Sequence, residues 1–176
     1  MPHLTLTSEF TLPLDAAIED IWAFIDDREA QVRLHPQIER IDVVEGAWGQ
    51  VNSEFVTTGH AKDGSDFMVQ QRLVEVKRPE SYVTELRAPD VTTTSTMSFG
   101  VSNGRAQELR QRIVLRTRNL SLGEYAAVKL KSRSLKSDAG DDFLVAYSVL
   151  QRYLIEECGY GHFDADEPEV TDPTSA

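Results

Sequence analysis

Between residues 4 and 12, apolar side chains recur at every second position. Leu4, Leu6, Phe10 and Leu12 share one face with Ser8, while Thr5, Thr7, Glu9 and Thr11 occupy the other. This period of two predicts a strand with one buried and one wet face. After Pro13 the period changes: Ile18, Ile21, Trp22 and Ile25 fall at i, i+3, i+4 and i+7, which predicts a helix over 15–26. Asp15 would cap it, and Glu19 and Asp20 sit early, where the helix dipole favours acids. A further helical turn over 29–34 should end at His35, because Pro36 disfavours the helical conformation of the residue before it. Six more runs, 41–44, 54–58, 67–76, 82–87, 92–99 and 107–117, read as strands. Between them lie Gly46 to Gly49, Asp63-Gly64, Arg78-Pro79 and Asn103-Gly104, turn signals that predict an antiparallel meander.

The last clear element spans 141–157, with Phe143, Tyr147, Leu150 and Leu154 on one stripe and Gly159 as its stop. Residues 119–139 are ambiguous. Leu122, Tyr125, Val128 and Leu135 suggest a helix, whereas Val128, Leu130 and Ser132 alternate with Lys129, Lys131 and Arg133 as a strand would. A short helix or lid is the preferred reading. Residues 159–176 are rich in acids and poor in apolar side chains and predict a disordered tail, leaving 1–158 as one domain.

The 176 residues carry 18 Lys and Arg against 29 Asp and Glu, a formal net charge of -11. That balance argues against non-specific binding to nucleic acid or to anionic membrane, both themselves negative. No stretch approaches the roughly 20 apolar residues needed to span a bilayer, and the N-terminus alternates like a strand where a secretory signal would be apolar, so a cytoplasmic location is expected. Cys158 is the single cysteine and allows no intramolecular disulfide. The four histidines, His3, His35, His60 and His162, have no short-range spacing suited to a shared metal, and neither metal nor cofactor is expected. Gly100 to Gly104 satisfies the G-x-S-x-G pattern, but strands on both sides make Ser102 part of a hairpin turn and not a nucleophile. Gly59 to Gly64 lacks the Lys and Ser/Thr of a phosphate loop.

Strand, two short helices, about six strands and a C-terminal helix form an order that resembles the START-like, or helix-grip, superfamily. That superfamily includes polyketide cyclase/dehydrase, lipid-transport and pollen-allergen-like proteins. The residues carrying the resemblance are Asp15 to Trp22 with Asp26-Asp27, His35-Pro36 with Ile38, Gly46 to Gly49 with Val51, and Val74-Glu75-Val76 before Pro79. The likeness covers roughly residues 4–158. It implies an α+β fold in which a curved antiparallel sheet of about seven strands grips the C-terminal helix around an internal cavity.

Candidate ligand-binding residues follow from the strand faces. By the resemblance, the face of 67–76 that carries Val74 and Val76 points inward, which would bring Met68, Gln70 and Arg72 to the cavity. Tyr82 with Thr84 and Leu86, Gln111 from the last strand, and Phe143 and Tyr147 from the helix complete the set. A mostly apolar hollow with a few convergent polar groups is how small-molecule sites are built. The expected partner is a small hydrophobic or aromatic molecule. If chemistry occurs, Tyr82 or Tyr147 would be the acid, Arg72 the stabiliser of an enolate, and His35 a base near the mouth. The alternatives left open are that Arg72 pairs with a protein carboxylate or that the face is reversed.

Nine of the 18 basic residues lie between Arg105 and Lys136. The preferred reading has Arg110, Arg112, Arg116 and Arg118 pointing outward and pairing across the sheet with acids such as Glu75 and Glu85. A non-catalytic lipid carrier, or an interaction module that uses 105–136, are the alternative functions. Trp48 in its glycine-bounded turn suits a cavity gate or a dimer contact, so monomer and homodimer both remain open.

Overall fold

The computed structural model describes residues 3–118, 121–161 and 169–171, with backbone alone at 122, 133 and 169–171. Its elements are β1 (Leu4–Ala17), α1 (Ile18–Asp26), α2 (Arg28–Leu34), β2 (Ile38–Glu45), β3 (Glu54–His60), β4 (Asp66–Lys77), β5 (Ser81–Ala88), β6 (Val91–Ser102), β7 (Arg105–Thr117), α3 (Leu122–Cys158) and β8 (Glu169–Thr171). The strands form one antiparallel sheet in the order β2-β3-β4-β5-β6-β7-β1-β8. Each predicted strand is present; β1 runs on from residue 12 to Ala17, and the others are extended by up to three residues at an end.

β1 runs past Pro13, so Asp15 is not a helix cap. The alternation continues through Leu12, Leu14 and Ala16, all buried, and Ala16 and Ala17 pair with Ala106 and Arg105 after a register shift. Proline is tolerated here because, among the described residues, β8 pairs with β1 only at residues 9–11 and no strand requires an N–H from Pro13. The first turn of α1 is satisfied from elsewhere: Ile18 donates its N–H to the Gly104 carbonyl, and Ala17 donates to the Tyr160 hydroxyl, which in turn donates to Asp20. Asp15 instead accepts from Arg105 at 2.7 Å. The cap of α2 is Asp27, whose side chain accepts from the Ala30 N–H.

Residues 122–139 are helical, as preferred over a strand, but not as a short helix or lid. Asn119 lies outside the described residues, but from Leu122 the chain is helical and runs without a break into the C-terminal helix, so it forms neither a lid nor a separate element. Ser121 and Glu124 make a reciprocal capping box at its start, and Gly159 ends it in the left-handed conformation. At about 1.5 Å per residue the 37 residues span about 55 Å. The first half packs little, with Leu130 fully outside; the second half buries Phe143, Tyr147, Leu150 and Leu154 against the sheet. The tail also departs from expectation, since Glu169–Thr171 pairs with β1 and Tyr160 packs against the core. His162 and the remainder of the tail lie outside the described residues.

The core is centred where α3 crosses β1 and β7. Phe143 stacks on Phe10 at 5.7 Å, with Leu12, Leu109 and Leu154 around them, and each such side chain contributes roughly 1.5–3 kcal/mol of burial. Gly140 faces the Phe10 ring, where an added Cβ would come within 3.2 Å, and so lets the helix approach the sheet. The arginines of β7 point outward as expected, but their partners differ: Arg112 pairs with Glu9 on β1 and Arg110 with Glu108 on its own strand, while Glu75 and Glu85 pair with Lys77 and Arg87. Asn103 and Gly104 both adopt positive φ, the hairpin conformation expected of that dipeptide, and Ser102 ends β6 beside it.

Two substitutions test this packing by urea denaturation. A Cβ on Gly59 would lie 1.9 Å from the Gln37 carbonyl oxygen, so Gly59→Ala should part the start of β2 from β3 and destabilise by about 1–3 kcal/mol. Tyr147 donates to the Pro13 carbonyl at 2.5 Å, and Tyr147→Phe, which removes this part-buried bond, should cost about 0.5–1.5 kcal/mol. A loss below about 0.5 kcal/mol in either variant would contradict the packing described.

Candidate functional site

Because α3 covers β1 and β7, the inner faces of β3 to β6 look onto open space. A cavity of about 590 Å³ fills it, closed by α1, α2 and the 142–146 turn of α3. Its wall is strongly aromatic. Trp22, Trp48, Phe55, Phe67 and Tyr82 all line it, with Trp22 set edge-on to Tyr82 at 6.1 Å and Trp48 edge-on to Phe55 at 5.1 Å. The mouth is held together by backbone carbonyls at the end of α1: Ile25 accepts from Gln31 Nε2 at 2.8 Å and from the Trp48 indole at 3.2 Å. These bonds satisfy orphan carbonyls of the helix while fixing two cavity-lining side chains. Trp48 is thus a wall of the mouth.

The structure brings only part of the expected set together. Tyr82, Gln111 and His35 line the cavity. Met68, Gln70 and Arg72 lie on the opposite face of β4: Met68 is 75% exposed, Gln70 donates to Glu54, and Arg72 is flanked across the sheet by Glu54 and Glu85. The cause is a β-bulge, seen as a register shift between Leu73 and Glu75. One extra residue inverts the side-chain parity, so Val76 shares the cavity with Phe67, Val69, Gln71 and Leu73 and not with the even residues before the bulge. Phe143 and Tyr147 belong to the packed core beneath the helix and do not reach the cavity, and Tyr147 commits its hydroxyl to Pro13. Residues that sequence reasoning missed include Phe67, Arg78 and Asp142. The alternation of Phe67, Val69 and Leu73 was the available signal for the first; nothing local marks the other two.

The sequence matches no family profile and none of the curated proteins. Solved structures do match. A protein of unknown function from Staphylococcus aureus superposes with a TM-score of 0.69 at 8% identity, covering 90% of this chain and 98% of that one. Norcoclaurine synthase from Thalictrum flavum, in complex with dopamine and hydroxybenzaldehyde, gives 0.66 at 11% identity over 88% of this chain and 89% of that one. The di-domain ARO/CYC protein StfQ of the steffimycin biosynthetic pathway gives 0.65 at 15% identity over 89% of this chain and 53% of that one. The fold is the START-like helix grip. At these identities the likeness speaks for the fold alone.

Within this helix grip the polar groups of the cavity divide into donors and acceptors. Burial pushes the Tyr82 hydroxyl up to about 12, so it stays protonated and can donate. His35 Nδ1 accepts the Gln37 N–H at 3.2 Å, which places the proton of the neutral ring on Nε2 and makes it a donor where the sequence suggested a base. Gln111 donates to the Ser95 hydroxyl at 3.1 Å, while its Oε1 is buried with no partner among the described residues. At the rim, the Asp142 carboxyl is raised chiefly by burial, with Asp138 and Asp141 adding to the effect and Lys62 and His35 opposing it. Arg78 pairs with Asp26 at 2.5 Å and lies 4.2 Å over the Trp22 ring. Among the described residues no group of His, Cys, Asp and Glu is arranged to hold a metal, and no helix is long and apolar enough to cross a membrane.

Burial lowers the pKa of His35 below its usual 6.5, against the opposing charge of Asp142. The fold therefore favours the neutral ring, and this contribution is complete above about 6.5 and lost as pH falls through the lowered value. His60 has the opposite sign, because its hydrogen bond to Asp66 and its neighbour Glu39 raise it, so its contribution is present at low pH and lost as pH rises above 6.5. Thermal midpoints measured from pH 7 to pH 5 should accordingly fall less steeply in His35→Gln than in the parent chain. An unchanged slope would show that His35 is not held neutral by its surroundings.

Proposed function

We propose that this chain binds a small, predominantly aromatic molecule in the cavity between sheet and helix. The observation that carries the reading is an aromatic hollow of about 590 Å³, walled by Trp22, Trp48, Phe55, Phe67 and Tyr82, with Tyr82, His35 and Gln111 among its polar side chains. That volume suits a small organic ligand, pockets for which run from about 300 to 1,000 Å³. The structural likeness to a synthase bound to two aromatic compounds and to an aromatase/cyclase supports the same reading.

A second reading, chemistry of the cyclase/dehydrase kind, is favoured by Tyr82 and His35. Both line the cavity as neutral donors, and two donors on one carbonyl oxygen would polarise it and stabilise negative charge developing on that oxygen. In this reading the donors replace Arg72, which lies on the outer face of β4, and Tyr147, whose hydroxyl is committed to Pro13.

Binding is tested with N-phenylnaphthylamine, an uncharged fluorophore that brightens in apolar surroundings. The chain's two tryptophans both line the cavity, so saturable one-to-one binding should quench them by energy transfer to the probe. Phe67→Ala should weaken the probe roughly tenfold through lost aromatic contact, and Met68→Ala, on the outer face, should leave it unchanged. The reverse pattern would put the binding site outside the cavity.

A further inference from the structure

The charged groups around the cavity are unevenly matched. Three ionised side chains line it: Asp26, Arg78 and Asp142. Asp26 and Arg78 neutralise one another at 2.5 Å, and Arg78 is further held over the Trp22 ring, so this cation is already engaged on two sides. Asp142 has no such partner. Among the described residues no cation stands within salt-bridge distance of it, and Lys62 acts on it only from further away, while Asp138 and Asp141 add negative charge beside it on the same helix. Burial lowers the pKa of His35, which also faces Asp142, and so disfavours a charge on its ring.

The mouth thus presents, among the described residues, one carboxylate without a salt-bridge partner, opposed only by the more distant Lys62. The whole molecule carries a net charge of -11, so its field draws cations towards the opening and repels anions. Taking the binding reading above as its starting point, we infer that the cavity selects aromatic amines, with the ring against Trp22, Phe55 and Phe67 and the ammonium group at Asp142, and discriminates against aromatic acids. An ammonium on a short aliphatic arm can stay hydrated at the rim while the ring is buried, so the carboxylate gains a partner without complete desolvation of either charge.

Calorimetric titration at pH 7 and low salt with three probes of one shape, naphthylethylamine, naphthylethanol and naphthylacetate, tests the inference. The expected order is amine, then alcohol, then acid, with the amine favoured over the alcohol by roughly fivefold, the size of an exposed ion pair, and the preference shrinking as salt is added. Asp142→Asn should bring the amine down to the level of the alcohol. Lys62→Glu, which removes the opposing cation from an exposed loop, should widen the gap, and it keeps the test open if Asp142→Asn misfolds. An alcohol that binds as well as the amine, or an acid that binds best, overturns the charge selection while leaving the binding reading intact. If all three probes and uncharged N-phenylnaphthylamine fail to bind, the binding reading itself falls and takes the selection with it.

Discussion

The structure depends on how one amphipathic helix meets one curved sheet. The stripe of Phe143, Tyr147, Leu150 and Leu154 is wide enough to cover the inner faces of β1 and β7, where Phe10, Leu12 and Leu109 receive it. It is too narrow to cover β3 to β6 as well. A continuous sheet cannot collapse onto itself to fill the remainder, because its hydrogen-bond ladder fixes the strands at nearly constant spacing. The leftover space is the cavity. The rigid core that closes one side of the molecule and the hollow on the other are therefore consequences of the same contact.

What the hollow presents is set by a local irregularity. The bulge between Leu73 and Glu75 reverses the parity of β4, turning Phe67, Val69 and Gln71 inward and leaving Met68, Gln70 and Arg72 on the outer face. Without that extra residue a guanidinium would point into the aromatic wall, between helices that offer it Asp26 and Asp142. With it, Arg72 stands on the convex side between Glu54 and Glu85, and the cation at the cavity is Arg78 from the turn before β5. The bulge thus exchanges a strand cation for one that is stacked on Trp22 and paired to Asp26.

The mouth is ordered by groups that first serve the backbone. Gln31 and Trp48 satisfy carbonyls at the end of α1, His35 closes α2 and accepts from Gln37, and Tyr160 ties the end of α3 to the start of α1. Each bond answers a backbone or capping requirement, and each also fixes the entrance or the helices that frame it. This economy explains why the entrance is built from helix ends and turns, while the interior is built from strand faces.

Much of this was legible in the chain itself. Periods of two and 3.6, the Asn-Gly and Asp-Gly turns, and the stop at Gly159 identify the strand and helix order, because such patterns report which residues one element can bury on one side. The continuation of β1 through Leu14 and Ala16 was misread, because Pro13 and Asp15 suggested an end and a helix cap. The continuity of α3 was less legible: its first half buries little, so the pattern that betrays a buried helix is absent there, and only the Ser121 capping box marks its start. Sequence determined the elements and the core stripe, since both follow from local periodicity. Tertiary structure alone decided the cavity's chemistry, because the parity of β4 depends on a bulge against β5, and the meeting of His35, Arg78, Gln111 and Asp142 depends on how strands and helices distant in the chain enclose one space.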